Sequence, residues 1–182
     1  YLGFQWYQRL PKPEQIIAEL TPPKMTPIDK TLVPDNLKIN FGIAAQGSLR
    51  SRSVAPINLI GQVVKEGVTL SPSLPGTWVW QSDSQLAFIP TKDWPAAQEY
   101  KVHFDKNFFS KNVHIAEDTY YFSTLPFTVV INDFKFYQDP INAQVRQVVA
   151  TMQFSYPVDT NSLDDKISLY DQSSYKKYKY TI

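Results

Sequence analysis

The chain's chemistry-bearing residues are few, and their spacing is poor for catalysis. His103 and His114 are its two histidines, and there is no cysteine. A metal centre needs three or four converging ligands, and neither His has a second His at ligand spacing. His103 stands on the polar side of an alternating stretch, between Lys101 and Asp105, and His114 in a stretch that reads as a loop. A solvated imidazole accounts for both. The missing cysteine removes thiolate nucleophiles, disulfides and Cys-based zinc sites together. A Ser–His–Asp set is compatible with the composition, but no Gly-x-Ser-x-Gly elbow presents a serine. Asp159, Asp164 and Asp165 cluster in one connection. A calcium loop would need oxygens at fixed offsets and a glycine at its bend, and this stretch lacks the glycine. Capping of a turn by short polar side chains is the simpler role.

Two aromatic runs remain. The stretch from Tyr175 to Tyr180 interleaves lysine with tyrosine. It could stack bases and contact phosphates, or it is a strand whose lysines guard an edge. Trp78 and Trp80 lie two apart, on one face of a strand. They could line a sugar-binding surface, although a sandwich core is the commoner fate of a strand Trp. No residue is nominated as catalytic, cofactor-binding or metal-ligating. The chain is read as a non-enzyme that takes no cofactor.

The elements around these residues are strands. Of 182 residues, 43% are hydrophobic and 14% aromatic, so disorder is a poor reading. Fourteen prolines against six glycines suit many short, rigid connections and oppose long helices. Eighteen basic residues against seventeen acidic ones leave a formal charge of +1. That balance gives no electrostatic footprint for nucleic acid. No apolar run is long enough to span a bilayer, so direct membrane insertion by these residues is not expected. The absence of cysteine suits a bacterial or a cytosolic protein equally. The chain opens at Tyr1 in mid-pattern and closes on Thr181-Ile182 like an unfinished strand. It therefore reads as a segment of a longer polypeptide.

One segment occurs twice. Ser51-Arg52-Ser53-Val54-Ala55-Pro56 leads through Asn58-Leu59 to Gly67-Val68-Thr69-Leu70, and Ser155-Tyr156-Pro157-Val158-Asp159 leads through Ser162-Leu163 to Lys166-Ile167-Ser168-Leu169. A repeat on this scale means two units of one fold in series. Period-two alternation marks Leu37, Ile39 and Phe41, then Val68 and Leu70, then Tyr100, Val102 and Phe104. Residues 14–20, 77–80, 86–90 and 120–124 add strands, and 22–34 is a proline-punctuated loop. In the second unit, strands are expected around Phe134 and Phe136, over 148–154, at Ile167 and Leu169, and over 175–182. The expectation is all-β: tandem antiparallel β-sandwiches of immunoglobulin-like or fibronectin-like type. Residues 1–12 form a leader or the tail of a preceding segment, 13–126 a first sandwich, and 127–182 a second one that is too short to be complete.

The run Ser71-Pro72-Ser73-Leu74-Pro75-Gly76-Thr77-Trp78-Val79-Trp80, with Leu86-Ala87-Phe88-Ile89-Pro90 and Trp94-Pro95-Ala96-Ala97-Gln98-Glu99-Tyr100, resembles bacterial Ig-like units. With Phe134-Lys135-Phe136-Tyr137-Gln138-Asp139-Pro140 and Phe154-Ser155-Tyr156-Pro157-Val158-Asp159, it resembles the N-terminal region of bacterial alpha-2-macroglobulin-like proteins. The resemblance runs from about Pro13 to Ile182. It departs at Ala97, where the usual loop has glycine; alanine there must avoid positive φ or accept strain.

The resemblance implies a large periplasmic parent, lipid-anchored to the inner membrane, that traps proteases when they cleave a bait region. Many members carry a thioester, which a chain without cysteine cannot hold. The implied role of this segment is scaffold: macroglobulin-type domains holding neighbouring domains of the same polypeptide, with target proteases met only by the full-length parent. The alternative class is a surface adhesin or a carbohydrate-binding Ig-like tandem.

Overall fold

A computed structural model describes residues 13–24, 33–144, 146–163 and 165–182. The chain divides into two compact units, 1–126 and 127–182. The leader reading of residues 1–12 and the middle of the 22–34 loop lie outside the described residues.

Unit 1 is built from β1 (Glu14–Thr21), β2 (Leu37–Ala45), β3 (Ser48–Ser51), β4 (Val63–Val64), β5 (Val68–Ser71), β6 (Gly76–Trp80), β7 (Gln85–Pro90), β8 (Glu99–Phe104), β9 (Val113–Ile115) and β10 (Thr119–Ser123). One sheet runs β4-β6-β7-β2-β1-β9, with β3 also on β2, and the other runs β10-β8-β5. Every pairing among these strands is antiparallel except β1 with β9. There Glu14–Ile16 runs parallel to Val113–Ile115, while the rest of β1 pairs antiparallel with β2.

Alternation decides which side chains go inside. Leu37, Ile39 and Phe41 on β2 are buried, as are Trp78 and Trp80 on β6 and Tyr100, Val102 and Phe104 on β8. The core is aromatic and falls into two groups. At one end Phe104 meets Phe41 (5.6 Å between centroids), Phe108 (5.6 Å), Phe109 (5.5 Å) and Tyr120 (6.1 Å). Trp80 stacks on Phe108 there, at 5.4 Å. At the other end Trp94 lies edge-on to Phe88, Tyr100 and Phe122. Such pairs add about 0.5–1.5 kcal/mol each beyond the area they bury.

Polar bonds seal the corners. The Trp94 indole N–H donates to the Asp35 carbonyl at 2.8 Å. The buried Thr124 hydroxyl donates to the Pro95 carbonyl at 2.6 Å and accepts from the Gln98 amide at 2.9 Å. Gly76 is required where β6 starts, because a Cβ there would sit 2.5 Å from Phe88 Cζ. Ala97 takes the second of its two options: its φ is +53°, a left-handed conformation that alanine adopts at a cost. Ala97→Gly is therefore expected to stabilise unit 1 by about 0.5–1 kcal/mol, the relief exceeding glycine's added chain entropy. An unchanged or lower urea midpoint would refute this.

Burial makes a pH prediction. It pushes the Tyr100 phenol up, and it is the main cause that raises Tyr120, partly opposed by the Ala18 amide donating to the Tyr120 oxygen. A folded pKa above the unfolded value gives stability that is complete below the unfolded value and is lost as pH rises past it. Melting temperature should therefore hold at neutral pH and fall above the ordinary phenol value of 10.0. Tyr120→Phe should remove part of that alkaline slope. An identical slope would show that Tyr120 does not titrate differently on folding.

Unit 2 contains β11 (Val129–Gln138) and β12 (Arg146–Phe154), a one-turn helix α1 (Thr160–Leu163), and a hairpin of β13 (Leu169–Tyr170) and β14 (Lys177–Tyr178). Two sequence expectations need correction. Ile167 lies outside the strands, because its amide is tied back to the Leu163 carbonyl at the end of α1. The strand expected over 175–182 shrinks to Lys177–Tyr178, because Tyr175 has φ +54° and its amide closes a turn on the Asp171 carbonyl. The chain as a whole is all-β and sandwich-type, as its alternation indicates.

Candidate functional site

Among the described residues of unit 1, a polar cluster lies at the seam of β5, β8 and β10. Register places His103 opposite both Thr69 and Thr119. The Thr119 hydroxyl donates to Asp118 Oδ1 at 2.9 Å, so it can only accept at its 3.1 Å contact with His103 Nδ1. His103 Nε2 faces Asp105 Oδ1, 3.8 Å away. The side chains are open to water: His103 is 39% exposed, Asp105 65% and Asp118 54%. Beside them an open groove of about 500 Å³ is lined by Lys106 and residues 115–119. The cluster is a solvated set of hydrogen-bonding groups. It presents no nucleophile, and among the described residues no group of three His, Asp or Glu side chains could hold a metal ion.

The other sequence candidates are dispersed. His114 belongs to β9, not to a loop, and its side chain is exposed. The edge of β1 captures it: the Glu14 amide donates to the Asn112 carbonyl and the Ala116 amide to the Ile16 carbonyl. Trp78 is 7% exposed and Trp80 0%, which removes the sugar platform and leaves the core reading. The Trp80 indole nitrogen has no hydrogen-bond partner among the described residues.

Asp159 caps a turn. Its carboxylate accepts from the Asn161 amide at 3.1 Å, and its carbonyl accepts from the Ser162 amide and hydroxyl, opening α1. Asp165 is exposed, and Asp164 lies outside the described residues. In the Tyr175–Tyr180 stretch, Lys176 Nζ sits 5.5 Å over the Tyr178 ring, an intra-hairpin contact.

Sequence reading did not single out Asp171, which holds this hairpin's turn. Its carboxylate accepts from the Ser173 amide at 2.8 Å, the Ser173 hydroxyl at 2.6 Å and the Ser174 amide at 3.3 Å. The Asp-x-Ser-Ser spacing is the signal that could have found it. These bonds, the Ser173 hydroxyl first, lower its pKa to about 2. A depressed folded pKa gives order that is present above the unfolded value and lost as pH falls through the folded one. The Ser173 and Ser174 amide signals should therefore titrate with a midpoint near 2 in NMR spectra. A midpoint near the ordinary 3.8 would contradict the capping geometry.

Fold and surface together define an all-β, sandwich-type module whose interior is filled by side chains. No protein-family model matches the chain. Curated relatives do. It is 33% identical over 122 residues to an "Alpha-2-macroglobulin" of Pasteurella multocida, covering 65% of this chain and 6% of the relative. It is 28% identical over 179 residues to an "Alpha-2-macroglobulin homolog" of Yersinia pestis, covering 93% of this chain and 8% of the relative. It is 25% identical over 126 residues to an "Alpha-2-macroglobulin" of Rickettsia conorii, covering 69% of this chain and 7% of the relative. The chain is alpha-2-macroglobulin-like, and it spans less than a tenth of the length of these relatives.

Proposed function

We propose that these 182 residues are framework domains of a bacterial alpha-2-macroglobulin-like inhibitor that traps proteases in the periplasm, its parent lipid-anchored to the inner membrane. The observation carrying this reading is the 179-residue match, which runs through both units into one bacterial relative. The packed aromatic interior of unit 1 agrees with a load-transmitting role, because close-packed cores resist deformation and pass strain to their neighbours. In this reading the segment's partners are adjoining domains of the same polypeptide, and target proteases meet the full-length protein.

The test separates frame from trap. The 182-residue chain alone should leave serine, cysteine and metalloproteases fully active. The full-length protein should form a protease complex that survives gel filtration, and deletion of unit 1 should abolish that complex. Cell fractionation should recover the full-length protein with periplasmic markers. Inhibition by the isolated 182 residues, or a full-length protein that captures no protease, would overturn the reading.

A further inference from the structure

β10 closes one side of the β10-β8-β5 sheet of unit 1, and among the described residues nothing pairs with its outer edge. The phase of the ladder fixes which backbone groups are left over. The Phe104 amide donates to the Asp118 carbonyl at 2.8 Å, and the Thr124 amide to the Gln98 carbonyl at 3.0 Å. Bonded pairs recur at every second residue of an antiparallel ladder, so Tyr120 and Phe122 bond to β8 in the same way. Thr119, Tyr121 and Ser123 therefore aim their N–H and C=O groups outward, and none of these groups has a backbone partner among the described residues. Their side chains share the outer face with His103, Lys101 and Glu99, and Tyr121 is 64% exposed.

Open edges are usually blunted by shortness, charge or proline. The other open-edged strands of unit 1 follow that rule: β3 and β5 have four residues, β9 three and β4 two, and β5 runs into Pro72. β10 breaks it, with five residues of which none is charged and none is proline. Where this edge begins lies the groove of about 500 Å³ lined by Lys106 and residues 115–119, so Thr119 belongs to both. Glu117 and Asp118 line it against the single cation Lys106, which leaves an excess of negative charge. Glu117 has no ion-pair partner among the described residues. A long basic side chain matches such a groove, its stem against Ile115 and Ala116 and its charge toward the two carboxylates.

We infer that the outer edge of β10 receives an extended strand of another polypeptide, antiparallel to β10, and that the groove takes a lysine or arginine from the C-terminal end of that strand. An antiparallel strand brings its C-terminal end to Thr119, the end where the groove lies. Its residues opposite Thr119, Tyr121 and Ser123 exchange paired N–H···O bonds with the edge, and those opposite Tyr120 and Phe122 turn inward and are apolar. Main-chain bonds supply affinity and the alternate side chains supply selectivity. Area argues against a second copy as the occupant. An edge of five residues is roughly 17 Å long, which is little beside the about 1,200 Å² that a stable interface between two globular partners buries. A lone strand needs only the edge and the groove. The inference depends on no part of the protease-trap reading and holds or fails without it.

The probe is the acetylated, amidated peptide Thr-Val-Thr-Val-Thr-Arg, with Thr-Val-Thr-Val-Thr-Glu as its control. Amide exchange in the 182-residue chain is read by NMR at millimolar peptide. The Thr119, Tyr121 and Ser123 amides should exchange fast in the free protein and slow at least about tenfold with the arginine peptide. The Tyr120 and Phe122 amides, already bonded to β8, should not change, and edge pairing alone produces that alternation. Tyr121→Pro removes an outward amide that β8 does not use, so it should weaken binding at least about tenfold while unit 1 melts near the parental temperature. Glu117→Gln leaves the edge intact and should narrow the preference for the arginine peptide, a result that does not require the proline variant to fold. Equal binding of the two peptides, or exchange at the three outward amides that the arginine peptide leaves unchanged, overturns the inference. Protection of those amides that rises with protein concentration in the absence of peptide makes a second copy the occupant and overturns it too. The same protection found in the full-length protein without peptide places a segment of its own polypeptide on the edge, with the same consequence.

Discussion

Phe104→Ala is expected to cost about 3–5 kcal/mol, enough to lower the melting temperature of unit 1 by more than about 10 °C. Phe104 is fully buried and touches four other rings, from both sheets and from the 105–112 loop. Removing it opens a cavity between the sheets, and the surrounding rings are too tightly interlocked to collapse into it. A domain of this size has a total stability of only about 5–15 kcal/mol, so the variant sits near the edge of folding. Phe136→Ala is the matched control. The same side chain, 65% exposed on the ribbon of unit 2, should change stability by less than about 0.5 kcal/mol in the 182-residue chain. Equal losses for the two variants in urea unfolding, each read from its own unit, would mean that the aromatic interior is not what holds unit 1 together.

Gly42→Ala is expected to be almost as damaging, at about 3 kcal/mol or more. Gly42 lies in β2 opposite Ile17 of β1 and Ser51 of β3. An added Cβ would collide with the Arg50 carbonyl oxygen and carbon, and both are backbone atoms. No rotamer change can relieve such a contact, so the β2–β3 ladder must open. Amide exchange should show lost protection over 48–51 with β7 still paired to β2. A variant whose β3 amides exchange at the parental rate would show that β3 yields without cost.

Much of this architecture is legible in the chain because its signals are local. Leu37, Ile39 and Phe41, or Tyr100, Val102 and Phe104, announce both strand and buried face by period-two alternation alone. The proline-marked turns at Val54 and Val158 mark a segment that recurs in the sequence. What escaped reading was short or non-local. β3 has four residues, β4 two and β9 three, too few to show a period. The parallel capture of Val113–Ile115 by β1 joins positions about a hundred residues apart, and no local pattern records it. In the sequence alone, His114 therefore reads as a loop residue. Asp171 escaped because its role depends on two serine amides converging on one carboxylate.

Composition and order alone determined that this chain is all-β, has no thiol chemistry and is alpha-2-macroglobulin-like, because side-chain alternation, residue inventory and motif order are properties of neighbours along the chain. Tertiary structure decided the rest. It buried Trp78 and Trp80 instead of offering them to a ligand, placed the two histidines on separate strands, set Asp159 to cap a turn, and left one apolar ribbon face open in unit 2. Those outcomes depend on which distant strands meet and which faces they cover, and a linear pattern leaves that choice open.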